Sequence, residues 1–218
     1  MREVHVLIGP SVDAVLDFGE EIEADLIVVG SRGHGPIGRL LLGSVSEGVV
    51  HYATRPVLGL RGGEDAWSPG RVVIGDDGSE TARKTAELVV SIGKLCGARG
   101  ALVRAYAEMP EIDAGGRISD PRLVDDALRR AERELEKHAE KLERTLGMRP
   151  RVEVAVGDAA AALLEKAREE GETSTLIVVG RRGLGLAKRL RMGSASTKVL
   201  RAAEGPVLGH PGAGRAIL

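Results

Sequence analysis

Residues 26–60, LIVVGSRGHGPIGRLLLGSVSEGVVHYATRPVLGL, are written again at 176–210 as LIVVGRRGLGLAKRLRMGSASTKVLRAAEGPVLGH. Nineteen of the 35 aligned positions are identical, and a repeated unit of this kind governs the reading of the fold. Both copies keep the spacing Gly-x2-Gly-x9-Gly-Ser: Gly30, Gly33, Gly43 and Ser44, then Gly180, Gly183, Gly193 and Ser194. Each follows LIVV, a short β-branched run that suits a buried parallel strand.

The first glycine ends that strand, and the second permits a tight turn or a close approach of backbone. The third glycine and its serine stand at the start of a helix, where unpaired N–H groups and the helix dipole favour an anion such as phosphate. The insert of the second copy is basic (Lys188, Arg189, Arg191), which would favour a polyphosphate further. An equally good account makes the glycines a sharp strand-to-helix turn, with Ser44 and Ser194 as ordinary N-caps. GHGPIG at 33–38 satisfies the dinucleotide fingerprint G-x-G-x-x-G, but the second copy reads GLGLAK and loses its third glycine. An NAD site is therefore not expected, and the P-loop pattern is absent from both loops.

Outward from the second copy, β-branched runs alternate with amphipathic stretches, the signature of crossover units and a parallel sheet. Strands are expected at 71–75, 101–106, 151–156, 176–179 and 206–209. Helices are expected at about 79–96 (Ser79 as N-cap, Gly97 after its end), 121–146, 159–170 (capped by Asp158) and 194–203. That makes a complete doubly wound unit over 71–212. Upstream, residues 4–30 track 152–180, so 1–60 correspond to only the last three strands and two helices of such a unit. Residues 61–70, RGGEDAWSPG, read as a linker. About 60 residues bury little core alone. The half-unit's apolar faces then need cover from the C-terminal unit, from another chain or from upstream sequence, and a chain that starts part-way through a longer one is the expectation.

The 218 residues are 43% apolar and 29% charged, a globular composition, and their net charge of −1 gives no pull towards nucleic acid or anionic membrane. Aromatics at 2% disfavour base-stacking modules. No apolar run spans a bilayer and no secretory leader is evident, so the expectation is a cytoplasmic protein without nucleic-acid or membrane partners. A single cysteine, Cys96, fits a reducing compartment.

The loop spacing after LIVVG, followed by an amphipathic helix and PVL, resembles the ATP-binding subgroup of the universal stress protein family. VVIGDDGSETARKTAELVVSIGKLCGARGALVRAY (72–106) is similar to that family's first strand, Asp-Gly-Ser turn, first helix and second strand. The resemblance implies an α/β, doubly wound, parallel five-stranded sheet of Rossmann-like order 3-2-1-4-5, present as one complete unit plus a partial repeat. It implies that Asp77 meets the adenosine end of ATP, and that Ala105, where the family usually has valine, contacts adenine through its backbone. Gly180, Gly183, Gly193, Ser194 and Ala195 match the ribose and phosphate loop. Gly30, Gly33, Gly43 and Ser44 match the same loop, but without an aspartate or adenine-side strand that half-site is expected to stay empty unless another segment completes it. Residues 4–9 would be strand three and 26–29 strand four. Segments 56–59 and 206–209 match the edge strand by which the family dimerises, as a homodimer or as an intrachain pseudo-dimer.

Asp76 and Asp77 read as turn formers rather than metal ligands, any Mg2+ arriving with ATP. The five histidines (His5, His34, His51, His138, His210) show no ligand spacing and read as surface or packing residues. Cys96 shares a helix face with Val89 and Ile92 and is expected to be buried. The run 129–144 reads as a solvated helix face. No acid–base or nucleophile constellation stands out. The expectation is an adenine-nucleotide-dependent binding or signalling module with at most slow hydrolysis. The rival is a dimerising interaction protein with structural glycine loops, and a true kinase or nucleotide hydrolase comes third.

Overall fold

The computed structural model of the protein describes residues 3–30, 43–60, 69–106, 121–169, 175–180 and 193–211. Its first part holds α1 (Ser11–Glu21), β1 (Ile27–Gly30), α2 (Ser44–Tyr52) and β2 (Val57–Leu60). The rest runs β3 (Arg71–Gly75), α3 (Glu80–Cys96), β4 (Arg99–Tyr106), α4 (Pro121–Leu146), β5 (Arg151–Val156), α5 (Ala159–Arg168), β6 (Thr175–Gly180), α6 (Ser194–Ala202) and β7 (Val207–His210). Local chemistry sets the ends. The Ser79 hydroxyl accepts the Ala82 N–H at 3.1 Å to open α3, and Gly97 at φ +66° closes it. Asp158 caps α5 by accepting the Ala161 N–H at 3.0 Å. Proline opens α4, and Gly147 at φ +71° follows its last residue.

The seven strands among the described residues join one sheet in the order β1-β2-β7-β6-β3-β4-β5. The run β5-β4-β3-β6-β7 is parallel throughout and reproduces the 3-2-1-4-5 order of a doubly wound unit. The five-stranded sheet of the complete unit is extended to seven described strands because β2 pairs antiparallel with β7 and carries β1, parallel to it, on its far side. In that seam Val57 faces Gly209, Leu58 faces Leu208 and Gly59 faces Val207. Because the repeat offset is 150 residues, Leu58 and Leu208 are equivalent positions, and a local pseudo-twofold axis passes between them.

One face of the sheet packs Val73, Val103, Ile177 and Val179 under α5 and α6, and continues through Ile27 and Val57 under α1 and α2. The opposite face packs Val72, Ile74, Leu102 and Val178 against α3 and α4, through Val89, Val90, Leu135, Ala139 and Leu142. The second face thins out at the N-terminal strands, where Val28 is 54% exposed.

Three expectations need correction. Residues 4–9 form no strand: with no neighbouring strand to supply the ladder, the backbone stays irregular and Val4, Val6 and Ile8 are more than 90% exposed. The N-terminal part therefore has two strands among its described residues, not three. Cys96 is exposed rather than buried, because it is the last residue of α3 and no further turn covers it. Helix α4 is amphipathic rather than a merely solvated face: Ala131, Leu135, His138, Ala139 and Leu142 are buried at helical spacing. No described helix is long and apolar enough to cross a membrane.

Candidate functional site

A cleft opens at the carboxyl ends of β3, β4 and β6, where the chain's crossovers diverge to opposite faces. It is lined by Gly75, Asp77 and Ser79 from the first turn, Ala105 from β4, Gly180 from β6, and Gly193, Ser194 and Ala195 at the start of α6. Small side chains make room there: a Cβ on Gly75 would lie 3.2 Å from the Leu163 side chain, which forms part of the wall. The cavity holds about 130 Å3 and is open on one side. A closed apolar void of roughly 150 Å3 accepts a benzene-sized ring, so a ring fits its floor and the rest of a ligand must lie across the mouth.

Six of the residues singled out in the complete unit, Asp77, Ala105, Gly180, Gly193, Ser194 and Ala195, meet around this cleft from four separate stretches of sequence. Gly183 lies outside the described residues, as do Gly33, His34, Lys188, Arg189 and Arg191. Gly30, Gly43 and Ser44 occupy the matching places at the end of β1 and the start of α2. Strand β1 is the sheet's edge, so among the described residues no strand stands beside Gly30 where β3 and its aspartate turn stand beside Gly180.

The N-cap reading of the two serines is not what forms. Gly43 and Gly193 are the N-caps, and Ser44 and Ser194 are the first helical residues. The hydroxyls two residues on do the holding. Ser196 Oγ donates to the Gly180 carbonyl at 3.0 Å, and Ser46 Oγ to the Gly30 carbonyl at 2.8 Å. Each bond ties the helix start to the strand end and closes the base of the glycine loop. Ser46 and Ser196 were legible as identical positions in the repeat, yet the spacing alone drew attention to their neighbours.

The adjacent aspartates have different tasks. Asp77 is exposed, and its Oδ1 accepts the Ser79 N–H at 3.0 Å, an Asx turn that presents the carboxylate to the cleft. Asp76 points the other way, its side chain 1% exposed. Its Oδ1 accepts the Gly78 N–H at 2.7 Å and Arg104 Nη2 at 2.6 Å, and His138 Nδ1 lies 3.0 Å from its Oδ2. Burial pushes this carboxyl up, but His138, Arg104 and the Gly78 amide outweigh it and hold it down at about 2. Burial pulls the Arg104 guanidinium down, and hydrogen bonds to Asp76 and Glu134 push it above its ordinary value. His210, at the end of β7, is lowered by burial. Among the described residues no group of three or more His, Cys, Asp or Glu side chains is placed to hold a metal ion.

Arg104 and His138 were not singled out by the sequence reading. Signals for both exist: Arg104 alternates with Leu102 on the buried face of β4, and His138 falls in the Leu135–Ala139–Leu142 stripe of α4. A cation or imidazole at a core position implies a partner.

A parallel, doubly wound sheet with a small-residue cleft at its switch point defines a class of α/β proteins that take ligands at the strand ends. Within that class the chain belongs to the universal stress protein family, whose sequence model matches residues 1–61 and 69–209. It is 31% identical over 215 residues to a universal stress protein of Mycobacterium tuberculosis, covering 93% of this chain and 63% of that protein. A universal stress protein of Mycolicibacterium smegmatis is 29% identical over 187 residues, 85% of this chain and 61% of the relative. The chain thus spans about three-fifths of the length of these relatives. Among solved structures, a universal stress protein from Archaeoglobus fulgidus superposes with a TM-score of 0.58 at 26% identity, over 90% of this chain and 64% of that one.

Proposed function

We propose that the complete unit binds ATP or a related adenine nucleotide in the cleft between β3 and β6, and that the chain acts as a nucleotide-dependent binding or signalling module of the stress response in the cytosol. The observation that carries this reading is the convergence of Asp77, Ala105, Gly180, Gly193, Ser194 and Ala195 on one cleft at the switch point. The donor set suits the ligand. The first N–H groups of α6 have no helical acceptors and favour phosphate, and the Ser194 hydroxyl, not used as a cap, can join them. Asp77 is an exposed acceptor for the sugar hydroxyls of the adenosine end. The backbone of Ala105, which lines the cleft, would meet the base. Any Mg2+ would come with the phosphates rather than from a protein cluster.

The seam between β2 and β7 supports a further part of the reading, that the chain is its own pseudo-dimer. A second reading, in which the glycine loops are purely structural, is favoured by the bonds of Ser46 and Ser196, which organise both loops alike.

Calorimetric titration with ATP and AMP, with and without Mg2+, separates the two. One ATP per chain is expected, with Asp77→Ala weakening it by roughly tenfold, the worth of a lost hydrogen bond to a charged group. No heat from the wild-type protein would overturn the nucleotide reading. Two ATP per chain would overturn the assignment of the site to the complete unit alone.

A further inference from the structure

Behind the cleft lies a buried charged cluster that the nucleotide reading does not use. Asp76 leads into the Asp77-Gly78-Ser79 turn, and its own N–H is fixed on the Val103 carbonyl at 2.9 Å. Its carboxylate receives Arg104 from β4 and His138 from α4. Arg104 Nη1 reaches back to Glu134 on α4 at 2.8 Å, one turn before His138. The carboxylate is ionised and can only accept, so the imidazole presents Nδ1–H to it. Gly78, at φ +79°, lies over the guanidinium: a Cβ there would be 3.3 Å from Arg104 Nη2. The turn is therefore clamped from beneath by a planar cation held on two carboxylates.

Stability does not account for this cluster. Buried ion pairs roughly break even against apolar side chains of similar volume, and the neighbouring sheet face is already packed by Ile74, Leu102 and Leu135. Two buried atoms, Arg104 Nε and His138 Nε2, have no hydrogen-bond partner among the described residues. A native structure rarely keeps such atoms without a reason. What the cluster supplies is direction. Two faces of one carboxylate, one amide and one guanidinium over-determine the path of the backbone from Asp76 to Ser79.

We propose that Arg104, His138 and Glu134 are positioning residues for the adenosine end of the ligand: through Asp76 they hold the turn that aims Asp77, and they couple α4 to that end and not to the phosphate loop. This rests on the nucleotide reading above. Arg104 stands on the face of β4 opposite Ala105, so none of the three touches the ligand itself.

The test compares ligands that share one end. Adenosine, ATP and inorganic triphosphate are titrated into the wild type, into His138→Leu and His138→Gln, and into an all-apolar variant carrying Asp76→Val, Arg104→Leu and His138→Leu. His138→Leu should weaken adenosine and ATP by roughly tenfold and leave triphosphate unchanged, and His138→Gln, which keeps a donor, should recover most of the loss. The all-apolar variant should melt no lower than the wild type and still lose adenosine. If that variant does not fold, the two His138 variants decide. Wild-type adenosine affinity in His138→Leu, or an equal loss for triphosphate, would overturn the proposal while leaving the nucleotide site standing. A wild type that binds none of the three ligands would overturn the nucleotide reading and this inference with it.

Discussion

The segment LIVVG occurs at 26–30 and again at 176–180, and the two copies have different fates. In β6, Val178 is fully buried between β3 and β7 beneath α3 and α4. In β1, the equivalent Val28 is 54% exposed on a sheet edge. The contrast deepens one strand earlier. VEVAV at 152–156 forms β5 because β4 offers it a ladder, whereas VHVLI at 4–8, with the same alternation, has no ladder and forms no strand. Identical sequence gives a core strand or an edge strand, and similar sequence a strand or none, according to what lies beside it. Strand propensity is a statement about fitting a half-buried surface, and the surface must exist.

This contrast can be broken or sharpened by experiment. The largest effect should come from placing a charge in the two valines. Val178→Asp buries an unpaired carboxylate and should prevent folding, while Val28→Asp should lower the unfolding free energy from urea titration by no more than about 0.5 kcal/mol. Comparable damage at both sites would mean that β1 is covered in solution.

Acid should act on the complete unit, which alone carries the Asp76 cluster. The carboxyl is held at about 2 against an ordinary 3.8. A depressed value means its stabilisation is complete above the unfolded value and is lost as pH falls from about 4 towards 2, a change of about 2 kcal/mol. Unfolding free energies measured across that window should show the slope, and Asp76→Asn should remove it while destabilising the protein at neutral pH by taking from Arg104 the buried one of its two carboxylates. A wild type with no such slope would contradict the ionised cluster.

The paired serines offer a finer comparison. Ser46→Ala and Ser196→Ala should each cost about 1 kcal/mol, one hydrogen bond apiece. Only Ser196→Ala should also weaken ATP in a titration, and an equal effect of both on ATP would show the two loops to be equivalent sites. Smallest of all is Arg201→Ala. Arg201 Nε donates to Glu47 Oε1 at 2.8 Å across the seam, but the arginine is largely exposed. Its loss should amount to less than about 1 kcal/mol and vanish in high salt; a large, salt-independent loss would make this contact a principal tie between the halves.

The elements of the complete unit were readable because their ends carry local signals: Ser79 and Asp158 as caps, Gly97 and Gly147 as stops, Pro121 as an opener. The cleft was readable because Asp77 and the glycine spacing sit at strand ends. What escaped depended on partners that local sequence does not name. Residues 4–9 needed a neighbouring strand. Asp76 is the turn former it was read as, accepting the Gly78 N–H, but its other partners, Arg104, 28 positions on, and His138, 62 positions on, meet it only after the sheet and α4 have assembled. Cys96 followed the apolar face of its helix in the sequence, but the helix stops at that residue.

The β2–β7 seam also removes mass action from the assembly. Two separate chains meeting edge to edge come apart on dilution, and each must keep the same surface because each is the other's copy. Here the two edges are joined by the chain itself, so the second edge is always present at a high effective concentration and the pairing does not depend on how much protein there is. The linkage also frees the halves from identity. Leu58 and Leu208 must continue to match across the axis, but the glycine loop behind one of them can change without disturbing the other.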